Sequence, residues 1–163
     1  MPKYILILLI VGLQYGYAQK NNSDKSFSQF YGFSLGSTPE TFAGDLQLDL
    51  EISYGTKYYK YSGKLLRKFK AIKVHDINLG FHEERLIYLD LYFKRLDDNT
   101  FDYLLENLSQ DYGEPIEFEA LYSGIIASYE WKEEGLTAQL YRYNDEASDL
   151  ADRHMTVLAI SIN

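Results

Sequence analysis

The chain has no cysteine, three prolines, three histidines and one tryptophan among 163 residues. The missing thiol excludes disulfides, cysteine nucleophiles and attachment of a lipid to an N-terminal cysteine. A serine hydrolase needs a base, and His75, His82 and His154 lie beside no Gly-x-Ser-x-Gly elbow. Neither a glycine-rich phosphate loop nor a dinucleotide fingerprint is present. No apolar run reaches the roughly 20 residues that a membrane-spanning helix requires. These absences point away from an enzyme and toward a binding or structural role without a cofactor.

What is present begins with export. In MPKYILILLIVGLQYGYAQ, a basic start at Lys3 precedes an apolar run from Tyr4 to Leu13 and small residues at Gly16 and Ala18. This is the layout of a signal peptide, 1–18, cleaved after Ala18. The destination expected is the periplasm or the outside of the cell, with no membrane anchor left. Cleavage removes one charged residue, Lys3, and shifts the net charge from −8 to −9. An acidic surface disfavours nucleic acid and anionic lipid as partners. Residues 19–28 are polar and read as a flexible lead-in, and 29–163 as a single α+β domain.

Within that domain, Thr38-Pro39-Glu40 reads as a helix start, with a capping hydroxyl, a proline suited to the first turn and an acid that complements the dipole. LQLDLEISY fits both periods, so a short helix giving way to a strand near Leu48 is expected. Strands follow at about 52–61, 68–79 and 86–94, broken at Ser62-Gly63 and at His82-Glu83-Glu84. In the last of them Ile87, Leu89, Leu91 and Phe93 make an aliphatic face, and Leu86, Tyr88, Asp90 and Tyr92 the opposite one. DDNTFDYLLENLSQDYG carries Phe101, Leu104, Leu105, Leu108 and Tyr112 on one helical stripe, with Asp98 or Asn99 as cap and Gly113 as stop. Strands resume at 116–122, 127–132, 136–143 and 155–162, with an acidic loop from Asn144 to Arg153.

Short turns enforce antiparallel pairing. The fold class expected is therefore α+β, an antiparallel sheet with two helices packed on one face, in the order helix, strands, helix, strands, with a seam near 96–99 between two halves. That order of elements resembles tandem α+β modules such as the β-lactamase inhibitory proteins and the small outer-membrane assembly lipoproteins. The lipoproteins' cysteine is absent here, and no residue roles carry over.

Three clusters bear on function. His75, Asp76, His82, Glu83 and Glu84 are metal-ligating types, but most of a strand separates the two histidines, so a solvated turn is the expected reading. Glu114, Glu117, Glu119 and Glu130 are acids of the kind that lines a charged face. Tyrosine is the feature in excess, with 16 in the chain. Tyr88, Asp90 and Tyr92 on one strand, and Tyr141 and Tyr143 on another, are the candidate binding residues, because exposed tyrosine offers rigid apolar area with a polar tip. A non-enzymatic module binding an envelope or extracellular protein is the leading expectation, a basic partner being favoured by charge, with inhibitor or immunity-type proteins inside that class. Carbohydrate binding or cleavage is the first alternative, and structural assembly of the envelope through a sheet edge the second.

Overall fold

The computed structural model describes residues 25–52, 54–121, 124–144 and 156–163. The segment expected to be a signal peptide, most of the expected lead-in and most of the acidic loop lie outside the described residues. Chain order begins with two short paired strands, β1 (Gln29–Phe30) and β2 (Phe33–Ser34), and a 3-10 turn at Pro39–Phe42. Then come β3 (Leu46–Ile52), β4 (Thr56–Tyr61), a small hairpin of β5 (Lys68–Phe69) and β6 (Ile72–Lys73), β7 (Asp76–His82) and β8 (Arg85–Phe93). After α1 (Asp98–Tyr112) follow β9 (Ile116–Glu117), β10 (Ile125–Glu133), β11 (Leu136–Tyr143) and β12 (Thr156–Ile162).

Eight strands form one sheet in the order β3-β4-β7-β8-β12-β11-β10-β9, with every adjacent pair antiparallel. Two four-stranded meanders thus stand side by side and meet where β8 pairs with β12. The antiparallel sheet agrees with expectation. The helix expected from Thr38 onward is not formed: its place holds a four-residue 3-10 turn, and residues 46–52 are strand throughout. Gly44, at φ 87°, ends the turn, and the alternation Leu46, Leu48, Leu50, Ile52 then decides for the sheet.

Helix α1 is capped by Asp97, one residue before the expected position, whose carboxylate accepts from the Thr100 amide at 2.8 Å. It buries Phe101, Leu104, Leu108 and Tyr112 against the inner sheet face, where Leu89, Leu91, Phe93, Leu140, Leu158 and Ile160 are inaccessible to solvent. The indole of Trp131 donates to the Gly113 carbonyl at 2.7 Å, satisfying a group at the helix end.

A phenylalanine-rich segment covers the remainder of that face. Phe27, Phe30, Phe33 and Phe42 are all buried, with Phe27 stacked on Tyr112 at 3.9 Å between centroids, Phe30 on Phe69 at 5.9 Å and Phe33 on Phe42 at 5.7 Å. Residues 25–28, expected as the end of a flexible lead-in, are therefore part of the packed fold. Ser26 donates to Glu133 at 2.6 Å. Asp111 holds the same segment to the helix by pairing with Lys25 at 2.6 Å and Lys70 at 3.1 Å, and by accepting from Tyr31 at 3.0 Å. Burial alone would raise the Asp111 carboxyl, but the bonds from Lys25, Lys70 and Tyr31 outweigh it and hold the group low.

Phe27→Ala tests this arrangement, because truncating a buried phenylalanine removes ring contacts and leaves a cavity. Urea unfolding of the variant is expected to show a loss of about 3 to 5 kcal/mol. A loss near zero would mean that the segment is not packed.

Candidate functional site

The face opposite α1 carries the chemistry, and strand register assembles it. Asn78 of β7 pairs with Asp90 of β8, Asp90 with Ala159 of β12, Ala159 with Gln139 of β11, and Gln139 with Glu130 of β10. One row over, Tyr92 pairs with Val157 and Val157 with Tyr141. On the other side Tyr58 pairs with Gly80, and Gly80 with Tyr88. The five expected residues, Tyr88, Asp90, Tyr92, Tyr141 and Tyr143, thus share one face. All are partly buried rather than fully exposed.

Tyr88 keeps the alternation of Asp90 and Tyr92, and an irregularity lies just before it. The register of β7 and β8 shifts between Gly80 and Phe81, so that Phe81 pairs with Leu86 and Ile87 is the extra residue. Leu86 is consequently turned into the core and wholly buried, while Ile87 is not. This reverses the expected placement of these two residues, since a bulge changes the parity of alternation.

Tyr58 joins the site although it is distant in sequence. Its ring stacks on Tyr88 at 6.0 Å and 21°, over Gly80. A Cβ at Gly80 would lie 2.9 Å from the Tyr88 Cβ and 3.0 Å from Tyr58 Cε1, so the missing side chain is what admits the two rings. The sequence signal was the glycine inside a strand pattern, a mark of close approach.

Between the walls formed by β8 and β11 lies β12, whose outward residues Val157, Ala159 and Ser161 are small. Two strand spacings make this trough about 10 Å wide. On the β11 side Tyr141 donates to Gln139 at 2.5 Å, Gln139 donates to Glu130 at 2.9 Å, and Lys132 pairs with Glu130 at 2.7 Å. Phe118 meets Tyr141 edge-on at 6.0 Å. On the β8 side Asp90 has neither a hydrogen bond nor an ion pair to any described residue. Its surroundings withhold water, and its carboxyl is pushed up to about 6. Tyr92 is raised strongly by burial and then by the charge of Asp90, while a hydrogen bond from Asn78 opposes the shift. Burial also raises Tyr58, helped by Tyr88 and Asp90.

His75 and His82 stand apart, and His154 lies outside the described residues. His75 bonds to Asp76 at 3.0 Å before β7 and His82 to Thr56 at 3.2 Å at its end. Among the described residues no three histidines or acids gather as metal ligands, and no helix is long and apolar enough to cross a membrane. Comparison with protein-family models, curated proteins and solved structures finds no match to this chain. The site's meaning therefore rests on its own geometry.

The raised Asp90 carboxyl makes a stability prediction. Its folded pKa, about 6, exceeds the value of 3.8 for an unperturbed carboxyl, so the folded state holds the proton more tightly. The contribution of Asp90 to stability is full below about pH 4 and is lost as pH rises through about 6. Asp90→Asn, which removes the charge but keeps the shape, is expected to raise the melting temperature at pH 7.5 and to flatten stability across that window. A variant less stable than wild type at pH 7.5 would refute an uncompensated carboxylate.

Proposed function

We propose that this protein is an exported, non-enzymatic binding module that engages a protein partner across the outer sheet face. The observation that supports this reading is the gathering of Tyr58, Tyr88, Asp90, Tyr92, Tyr141 and Tyr143 on one face that the helix leaves uncovered. Tyrosine is enriched where protein surfaces meet because it supplies large apolar area at small entropic cost. The acidic balance of the chain, −8, favours a basic partner by accelerating encounter. Carbohydrate binding has less support, since Tyr58 and Tyr88 stack on one another and cover Gly80 instead of opening their rings to a sugar.

A second reading, assembly through a sheet edge, has an observation of its own. Edge strand β3 leaves Leu48, Leu50 and Ile52 exposed at 54%, 53% and 41%. Exposed apolar edges pair with other chains, although the irregularity between Leu48 and Leu50 and the acids Asp49 and Glu51 blunt this one. Concentration-dependent oligomers in light scattering would favour this reading.

Affinity capture from envelope extracts, with wild type and with the double variant Tyr88→Ala, Tyr141→Ala, tests the main proposal. A partner should be recovered by wild type and bind the folded variant more weakly by at least about tenfold, as expected for central aromatic contacts. Equal binding by the variant would overturn use of this face, and glycan-array binding with no protein recovered would transfer support to the sugar reading.

A further inference from the structure

We propose that the centre of the outer face is a receptor for a guanidinium group, the arginine side chain of a protein partner. The inference deepens the function proposed above and rests on that reading for the partner being a protein.

Two acceptors without donors carry the argument. Asp90 makes no bond to any described residue, and the side-chain oxygen of Asn78, its partner in register, is buried without a hydrogen bond. The Asn78 amide nitrogen is already directed to Tyr92. A buried acceptor without a donor, the Asn78 oxygen, is costly, and beside the partly buried, unpaired carboxylate of Asp90 it calls for a group with several donors. Backbone and neighbours do not supply it: Gly80, Val157, Ala159 and Ser161 bring no charged group.

The charged and titratable groups around Asp90 are occupied or acidic. Lys60, in the same row on β4, is held by Asp49 at 3.0 Å. Asp76 on β7 is paired with His75, and Glu130 beyond Gln139 is paired with Lys132. Tyr88 and Tyr92 on β8, Tyr58 on β4 and Tyr141 and Tyr143 on β11 complete the surroundings, and none of them supplies a positive charge. Among the described residues no unpaired cation faces Asp90, and that charge is assigned to a partner.

Guanidinium fits better than ammonium on two counts. Its five donors in a planar fork can serve the Asp90 carboxylate and the Asn78 oxygen together. Its flat surface also suits contact with a tyrosine ring, and Tyr92 lies two residues from Asp90 along β8 on the same face. On the β12 side the neighbours Ala159 and Ser161 are small and only partly buried.

The test titrates the isotope-labelled protein with blocked Gly-Arg-Gly, Gly-Lys-Gly and Gly-citrulline-Gly peptides and follows the amide resonances of Asn78, Asp90 and Ala159. The arginine peptide should give saturable shifts there and bind more tightly than the lysine peptide, with no saturable response to citrulline. Asp90→Asn, expected to be the more stable protein, should weaken arginine binding by at least about tenfold, the loss typical of a charged hydrogen bond. Binding should fade as pH drops through about 6, a dependence absent in Asp90→Asn. Equal responses to arginine and citrulline, equal responses to arginine and lysine, or unchanged binding by Asp90→Asn would each overturn the proposal. A captured protein whose binding needs Tyr88 and Tyr141 but ignores Asp90→Asn would overturn this inference and leave the proposed function standing. Peptide binding at Asp90 with no protein partner recovered would do the reverse.

Discussion

One helix has to share an eight-stranded sheet with something else. Seven strand spacings make the sheet about 34 Å wide, while a helix with its side chains is about 10 to 12 Å across. The contact that resolves this mismatch is Phe27 on Tyr112, 3.9 Å between ring centroids. It joins the helix to the rings of Phe30 and Phe69, and a second run of rings, Phe33, Phe42 and Phe81, continues the cover of the face that α1 cannot reach. The ion pairs of Asp111 with Lys25 and Lys70 hold the same junction from the solvent side.

Because all of this cover lies on one face, the other is left to polar and aromatic residues. Its organisation follows from features that are small in sequence terms: an absent side chain at Gly80, an extra residue at Ile87, and three small outward residues on β12. Together they set Tyr58 against Tyr88 and leave Asp90 beside an open trough. Most of the face is internally satisfied, as the run Tyr141, Gln139, Glu130, Lys132 shows. Asp90 and Asn78 break that pattern. A carboxylate kept where water is scarce and no donor waits costs stability, and such local costs are common where proteins meet ligands.

Much of the architecture was readable where a pattern was long and regular. The stripe of Phe101, Leu104, Leu108 and Tyr112 announced α1, and β11 was placed to the residue by its alternation. The second helix was misread because Thr38-Pro39-Glu40 supplies a good start with no apolar stripe behind it that could outlast Gly44. Phe27 was hidden inside a polar window, its role set by a helix more than 70 positions away. The site was half legible. Tyr88, Asp90 and Tyr92 follow from alternation within one strand, whereas Tyr58, Asn78 and Ala159 enter through pairing between strands.

Taken alone, the sequence determined the chemistry that is absent, the acidic charge, the antiparallel connectivity and the face on which each tyrosine of a regular strand would stand. Those properties depend on composition and on neighbours within a few residues, where the periods of helix and strand operate. The tertiary structure decided which strands lie together, where the bulge changes parity, what covers the sheet beyond α1, and that Asp90 has no partner among the described residues. These are contacts between residues distant in sequence, and their energies depend on burial and register that no local pattern encodes.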